Sequence, residues 1–319
     1  MVENISKEKI ITDVLIIGAG PGGMAAALYA SRANLKTIML EKGAPGGELI
    51  NTAEVENYPA YPLISGPELA QKFYDSAMEF GAEHAYGDVT KVEVFGASKY
   101  VHTADKIYEA KAVIMATGAH HRELGVPGEE RLTGQGVSYC AVCDGFFFRN
   151  RNLVVVGGGD SAVEEGNYLT QFADKVTIIH RRDELRAQQI LQDRAFNNPK
   201  IEFIWDSVVE SIEGDASVES VKIRNVKSNE ESELPINGVF VYIGLIPNTD
   251  SVKHLDITDD EGWIITNDQM ETTVPGLFAV GDVRQKHLRQ IVTAASDGAI
   301  AGQAAFDYVQ SLADPVNQA

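Results

Sequence analysis

A chain of 319 residues is long enough for two domains of ordinary size, and its 44% hydrophobic and 23% charged content is that of a water-soluble globular protein. The net charge of −19 argues against nucleic acid and anionic membrane, which would repel the chain at long range. No apolar run is long enough to span a bilayer, and residues 1–9 lack the apolar core of a signal peptide, so a cytoplasmic location is expected.

Residues 10–17 read as a buried parallel strand that runs into Gly18-Ala19-Gly20-Pro21-Gly22-Gly23, then into a helical pattern over 24–33. Strand, GxGxxG and helix in that order form a dinucleotide fingerprint. Gly18 permits the tight turn, Gly20 lets the backbone approach a pyrophosphate, and Gly23 lets helix and strand pack closely. The helix N-terminus supplies partial positive charge. A second strand, residues 36–40, ends at Glu41, which is placed to hydrogen-bond a ribose hydroxyl. Residues 89–108 carry short alternating runs between turn signals and predict an antiparallel excursion.

Cys140 and Cys143 are the only cysteines in the chain. Two thiols so spaced can close a small disulfide, or share a proton so that one becomes a thiolate near neutral pH. Half of a zinc site and two buried apolar cysteines are the alternatives. Zinc needs two further ligands, and the nearest histidines, His120 and His121, are adjacent and splay apart on most backbones. With no disulfide framework to maintain, redox work in a reducing compartment is the expectation, and no metal is. Phe146-Phe147-Phe148 follows as either core or an apolar docking patch.

The fingerprint then recurs. Residues 152–156 predict another buried strand, followed by Gly157-Gly158-Gly159-Asp160-Ser161-Ala162 and a helix through about Phe172. The next strand, 175–179, ends not in an acid but in His180-Arg181-Arg182, with Arg186 a turn further on. A carboxylate would repel a 2′-phosphate, whereas arginine pairs with it bidentately, so this second site is expected to take NADP rather than NAD. Two fingerprints imply two dinucleotides, a resident FAD at the first and a diffusible nicotinamide at the second. Residues 207–233 predict a second antiparallel excursion, and 273–280 a strand feeding Gly281-Asp282, an aspartate that in FAD proteins of this architecture faces the ribityl and phosphate region. A small-residue-rich helix starts near Arg289-Gln290-Ile291 and runs through Ala305. The fold class is therefore α/β, with two Rossmann-like dinucleotide-binding domains. The FAD domain is discontinuous (1–119 and 249–319), and the NADPH domain (120–248) is inserted at glycine- or proline-bearing crossings, 116–119 and 244–249.

With these pieces in order, residues 13–308 resemble the low-molecular-weight thioredoxin reductases. The motifs that carry the resemblance are Gly18 to Gly23, Glu54-Val55-Glu56-Asn57-Tyr58-Pro59, Ala116-Thr117-Gly118, Cys140 to Gly145, Gly157 to Ala162, His180 to Arg186 and Gly281 to Ile291. The resemblance implies passage of electrons from NADPH through FAD and a Cys140–Cys143 disulfide to oxidised thioredoxin, in a homodimer. Cys143 would face the flavin, Cys140 would attack the partner's disulfide, and Asp144 would protonate the leaving thiolate. It assigns to FAD Gly18, Gly20, Pro21, Gly23, Glu41, Lys42, Gly47, Glu48, Asn57, Val89, Thr117, Gly118, Gly281, Asp282, Arg289, Gln290 and Ile291. To NADPH it assigns Gly157, Gly159, Asp160, Ser161, His180, Arg181, Arg182 and Arg186. Glu48 stands where glutamine is usual, Ala60 replaces a glycine, and Gln135 replaces an arginine in the loop before the cysteines. Two rivals share the core. The flavin subunit of a hydroperoxide-reducing system carries an N-terminal redox extension for which the early first strand leaves no room, and a ferredoxin- or flavodoxin-type NADP reductase lacks the cysteine pair.

Overall fold

Parallel strands rich in Val, Ile and Leu organise both halves of the chain, as sheets covered on both faces require. The computed structural model describes residues 7–52 and 54–313, and the chain divides into two compact units, Met1–His120 with Pro247–Ala319, and His121–Ile246.

In the first unit the strand Glu8–Ile17 lies between Thr37–Glu41 and Lys106–Met115 and pairs parallel with both. Glu83–Tyr86 adds outside Thr37–Glu41. The long strand Lys106–Met115 changes partner along its length. Its first half carries the antiparallel pair Lys91–Phe95 and Ser98–His102, and its last three residues pair with Leu277–Ala279. The antiparallel excursion read over 89–108 is thus two strands grafted onto a third that belongs to the central sheet. Alternation along the first strand sends Val14 and Ile16 to a core shared with Met24, Ile114 and Phe278, while Leu15 and Ile17 pack with Val113, Met115 and Ile264.

The fingerprint helix spans Pro21–Arg32, opening earlier than its apolar pattern because Pro21 suits a first helical turn. It lies against the C-terminal helix Ile291–Ala313. A Cβ on Gly298 would stand 2.1 Å from the carbonyl oxygen of Gly22, so this helix crossing needs the missing side chain. The C-terminal helix continues past Ala305 because Tyr308 and Val309 still pack on the core.

The second unit is built on five parallel strands in the order Val137–Ser138, Gly238–Tyr242, Asn152–Gly157, Lys175–Ile179, Ile201–Ile204. A separate antiparallel sheet of Ser207–Glu213, Ser220–Asn225 and Glu231–Pro235 closes over one core of this unit through Val209, Ile212, Val221 and Ile223. The helices Asp160–Leu169 and Gln189–Phe196 contribute Ala162, Val163, Leu169, Leu191 and Ala195 to the other. The two chain crossings run side by side as a short ribbon, Ala119–His121 with Leu245–Pro247.

Candidate active site

Cys140 and Cys143 form a disulfide with their Cα atoms 5.4 Å apart. Ala141–Asp144 is a single helical turn. Cys140 N–H donates to Ser138 Oγ at 3.1 Å, Ala141 N–H to the hydroxyl of Tyr242 at 2.9 Å, and Cys143 N–H to Cys140 Sγ at 3.1 Å. Cys143 is exposed, and Cys140 and Asp144 are half-buried. The three phenylalanines divide. Phe148 stacks edge-on against Phe240 in the core, while Phe146 and Phe147 are 56% and 77% exposed, with the Arg149 guanidinium over the Phe146 ring. Phe148 thus fits the core reading, while Phe146 and Phe147 lie at the surface.

The second glycine turn lies in the same unit as the disulfide. Its helix begins at Gly159 with no side-chain cap, and the direction a Cβ would take from Gly159 is open. Amides at such a start have no intrahelical partner and suit an anion. His180 is buried with its ring against Gly158, and burial first, then Arg186, Arg181 and Arg182, holds its pKa below the usual value. Burial and the neighbouring arginines thus disfavour its charged form. Arg186 N–H donates to the Gly158 carbonyl at 2.7 Å, bringing its segment against the turn. Arg181, Arg182 and Arg186 are exposed and have no ion-pair partner among the described residues, in a chain of net charge −19. Both oxygens of Asp160 accept from Gln188, from its N–H and its Nε2, at 2.7 Å each. Ser161 is exposed beside it.

In the first unit Gly18 adopts φ +107°, and a Cβ there would lie 2.3 Å from the Ala116 carbonyl, so only glycine closes this turn. Gly23 is equally pressed, 2.0 Å from the Gly18 carbonyl, whereas Gly20 meets nothing nearer than the Gly47 Cα at 3.9 Å. The protein itself gives no reason for glycine at position 20, which leaves the space beside it for an occupant. Glu41 reaches back to the turn, accepting from Ala19 N–H at 2.8 Å and from Gly43 N–H at 3.0 Å, with further lone pairs available. Asn57 Nδ2 donates to Gln290 Oε1 at 3.1 Å, joining two predicted flavin residues 233 positions apart. Asp282 holds a buried Oδ1 with no hydrogen-bond partner among the described residues, and burial keeps its carboxyl above the usual range against the opposing pull of Lys286 and Arg289. Glu48 is near enough to add to that upward shift. Arg289 stacks 3.6 Å from the Trp263 ring, and Ile291 packs on the Leu49, Val55 and Leu69 cluster. Thr117 and Gly118 are tied to Asn248: Thr117 Oγ1 donates to its carbonyl at 2.7 Å and Asn248 N–H donates to the Gly118 carbonyl at 3.0 Å. Val89 is half-buried at the edge of the Leu15 core, and Lys42 is exposed. An orphaned carboxylate oxygen, an open glycine and an uncapped helix start together fit a dinucleotide.

The family model for pyridine nucleotide-disulphide oxidoreductases matches residues 12–298. The chain is 59% identical to a thioredoxin reductase of Listeria monocytogenes over 97% of both chains, and 56% identical to that of Bacillus subtilis over 97% of this chain and 98% of the other. This chain belongs to the thioredoxin reductases. Among solved structures, the thioredoxin reductase of Lactococcus lactis superposes with a TM-score of 0.93 at 55% identity, covering 94% of this chain and 99% of its own.

Several residues that shape this thioredoxin reductase's site carry no motif. Asp297 is buried and accepts from Gly281 N–H at 3.1 Å, Arg284 Nη1 at 3.1 Å and Lys286 Nζ at 2.9 Å, so one carboxylate shared by two cations fixes the Gly281–Asp282 turn. Buried Glu129 accepts from Leu124 and Gly125 amides and from the Tyr139 hydroxyl, pinning the chain just before Cys140. A helix position carrying Asp amid small residues was the available signal for Asp297. Tyr242 had none.

Proposed function

We propose that this protein is an NADPH-dependent thioredoxin-disulfide reductase with FAD bound in the unit that contains residues 1–120 and NADPH in the unit that carries the cysteines. The observation that carries the reading is the Cys140–Cys143 disulfide, held in one compact unit with an open glycine turn and three arginines that have no ion-pair partner among the described residues. FAD, when bound, supplies the two-electron chemistry that joins nicotinamide hydride to disulfide cleavage. Asp282, Asn57 with Gln290, Glu41 and the Gly18–Gly23 turn would hold it. Arg181, Arg182 and Arg186 would grip the 2′-phosphate of NADPH, with the pyrophosphate at the Gly159–Ser161 amides.

Once the pair is a dithiol, the Cys140 thiol gives up its proton through Asp144 and its sulfur attacks one sulfur of oxidised thioredoxin, forming a mixed disulfide and expelling a thiolate that takes that same proton from Asp144. The Cys143 thiolate then attacks Cys140 Sγ, the second thioredoxin thiolate leaves, and the Cys140–Cys143 bond reforms with two electrons transferred. Exposed Phe146 and Phe147 beside the pair supply apolar surface for the protein substrate. A homodimer in the cytoplasm is part of the same proposal. Among the described residues no helix is long and apolar enough to cross a membrane.

The test is NADPH oxidation with thioredoxin and a dithiol-reporting reagent, run beside NADPH oxidation with ferredoxin or oxygen alone. Turnover that needs thioredoxin and is lost in both cysteine-to-serine variants supports the reading. Equal turnover with ferredoxin, cysteines removed, would favour the single-electron reductase instead.

A further inference from the structure

Ala141 lies inside the ring closed by the Cys140–Cys143 bond and is 1% exposed. Its amide cannot reach a helical partner, because it opens the turn Ala141–Asp144. The acceptor is the hydroxyl of Tyr242, 101 residues away, in a buried bond of 2.9 Å. The amides of Cys140, Cys143 and Asp144 are met by acceptors within four residues, so Tyr242 supplies a long-range anchor for the redox turn.

Tyr242 is itself held on three sides. It ends the strand Gly238–Tyr242, paired with Gly157 at the start of the second nucleotide turn, where a Cβ on Gly157 would stand 2.3 Å from the Tyr242 carbonyl. Its ring meets His121 edge-on at 5.9 Å, and His121 in turn stacks on Tyr139, the residue before Cys140, at 6.4 Å. The side chain is 8% exposed.

We infer that Tyr242 is a positioning residue for the redox reaction: its hydroxyl holds the Ala141 amide and thereby sets the balance between the Cys140–Cys143 disulfide and its dithiol. In the disulfide the covalent ring keeps the Ala141 amide in its buried place, so loss of the hydroxyl leaves a buried donor unpaired. In the dithiol the ring is open and the turn can rotate that amide toward water. The penalty falls on the disulfide, and the pair becomes easier to reduce. The inference rests on Cys140 and Cys143 being the redox pair.

The test is Tyr242→Phe in the FAD-loaded protein, which keeps the ring against His121 and removes only the oxygen. Wild type and variant are equilibrated in glutathione buffers of graded composition, quenched with acid, alkylated, and scored for dithiol by mass. The dithiol-to-disulfide ratio at a fixed buffer is expected to rise about tenfold in the variant, which is about 30 mV for a two-electron couple. A ratio within twofold of wild type, with only a lowered melting temperature, would make Tyr242 merely structural and overturn the inference while leaving the redox reading intact. A wild-type pair that never exchanges with glutathione would remove the redox reading and this inference with it.

Discussion

Cys140 and Cys143 are equals in the CxxC pattern, and the surrounding atoms begin to separate them: Cys140 Sγ accepts the Cys143 amide, a contact that would stabilise a thiolate at Cys140. The Cys143→Ser variant is therefore expected to trap a single-cysteine thioredoxin as a stable mixed disulfide through Cys140, while Cys140→Ser traps none. Non-reducing electrophoresis decides it, and trapping only through Cys143 would reverse the roles. For Arg181 and Arg182, replacing both with neutral residues should raise the KM for NADPH at least tenfold, since charged phosphate pairs are worth about 1.5–3 kcal/mol, and leave NADH turnover within twofold. Equal losses with both cofactors would mean that the arginines serve folding. Glycine and arginine patterns made these two turns legible in the sequence, because their chemistry depends on residue type. Ala60 was legible only as a departure. It sits at φ +81°, in the left-handed region that the resembled glycine would occupy without strain. Ala60→Gly should stabilise the protein by about 1 kcal/mol, and an unchanged or lower melting temperature would contradict that account.

Among the elements, the fingerprint strands and helices were legible from their apolar runs, and the ones missed had weaker or unread signals. The helix Gly66–Met78 is opened by Ser65, whose side chain accepts from Glu68 N–H at 3.3 Å, so a capping Ser-x-x-Glu marker was present. Glu83–Tyr86 is an edge strand with a polar, half-exposed pattern, and Gly238–Tyr242 is a five-residue apolar run that periodicity cannot tell from buried helix. No local pattern reveals how the C-terminal helix is fastened. Lys99 is 0% exposed, and its ammonium donates to the Ala97 and Lys111 carbonyls and to the Tyr308 hydroxyl at 2.9 Å, 4.5 Å from that ring's centroid. Burial without a carboxylate pulls its pKa down to about 8 from 10.5. The folded state thus releases this proton before the unfolded chain does, and between about pH 8 and 10.5 the unfolded chain binds more protons, so stability gains with rising pH. The neutral amine keeps its partners by accepting from the tyrosine, whose own pKa burial raises. Chemical denaturation from pH 7.5 to about pH 10 should show the wild-type stability rising relative to Lys99→Met, by no more than one proton's slope. A difference that is flat or falls with pH would contradict the buried charge.

For the whole molecule, the arrangement of cores bears most directly on function. The first unit is closed by its own clusters around Ile16, Leu15 and Leu69, and the second by those around Leu153 and Val154. The contacts of the second glycine turn and its arginines with Tyr242, Gln188 and His180 all come from the second unit. Two binding sites each built from a single unit can be damaged separately, because the energy of each resides in contacts that the other does not share. Gly20→Val tests this at the position where the protein leaves space it does not use. The branched side chain would occupy the open region beside Gly47, where a pyrophosphate would lie against the backbone, without touching the packed contacts of Gly18 or Gly23. The variant should fold, lose its flavin, and still bind NADP⁺ within about twofold of the wild-type affinity by titration calorimetry. Full flavin content in folded Gly20→Val would remove the first turn as the flavin site. Loss of NADP⁺ affinity in step with flavin loss would mean that the two sites are not independently built.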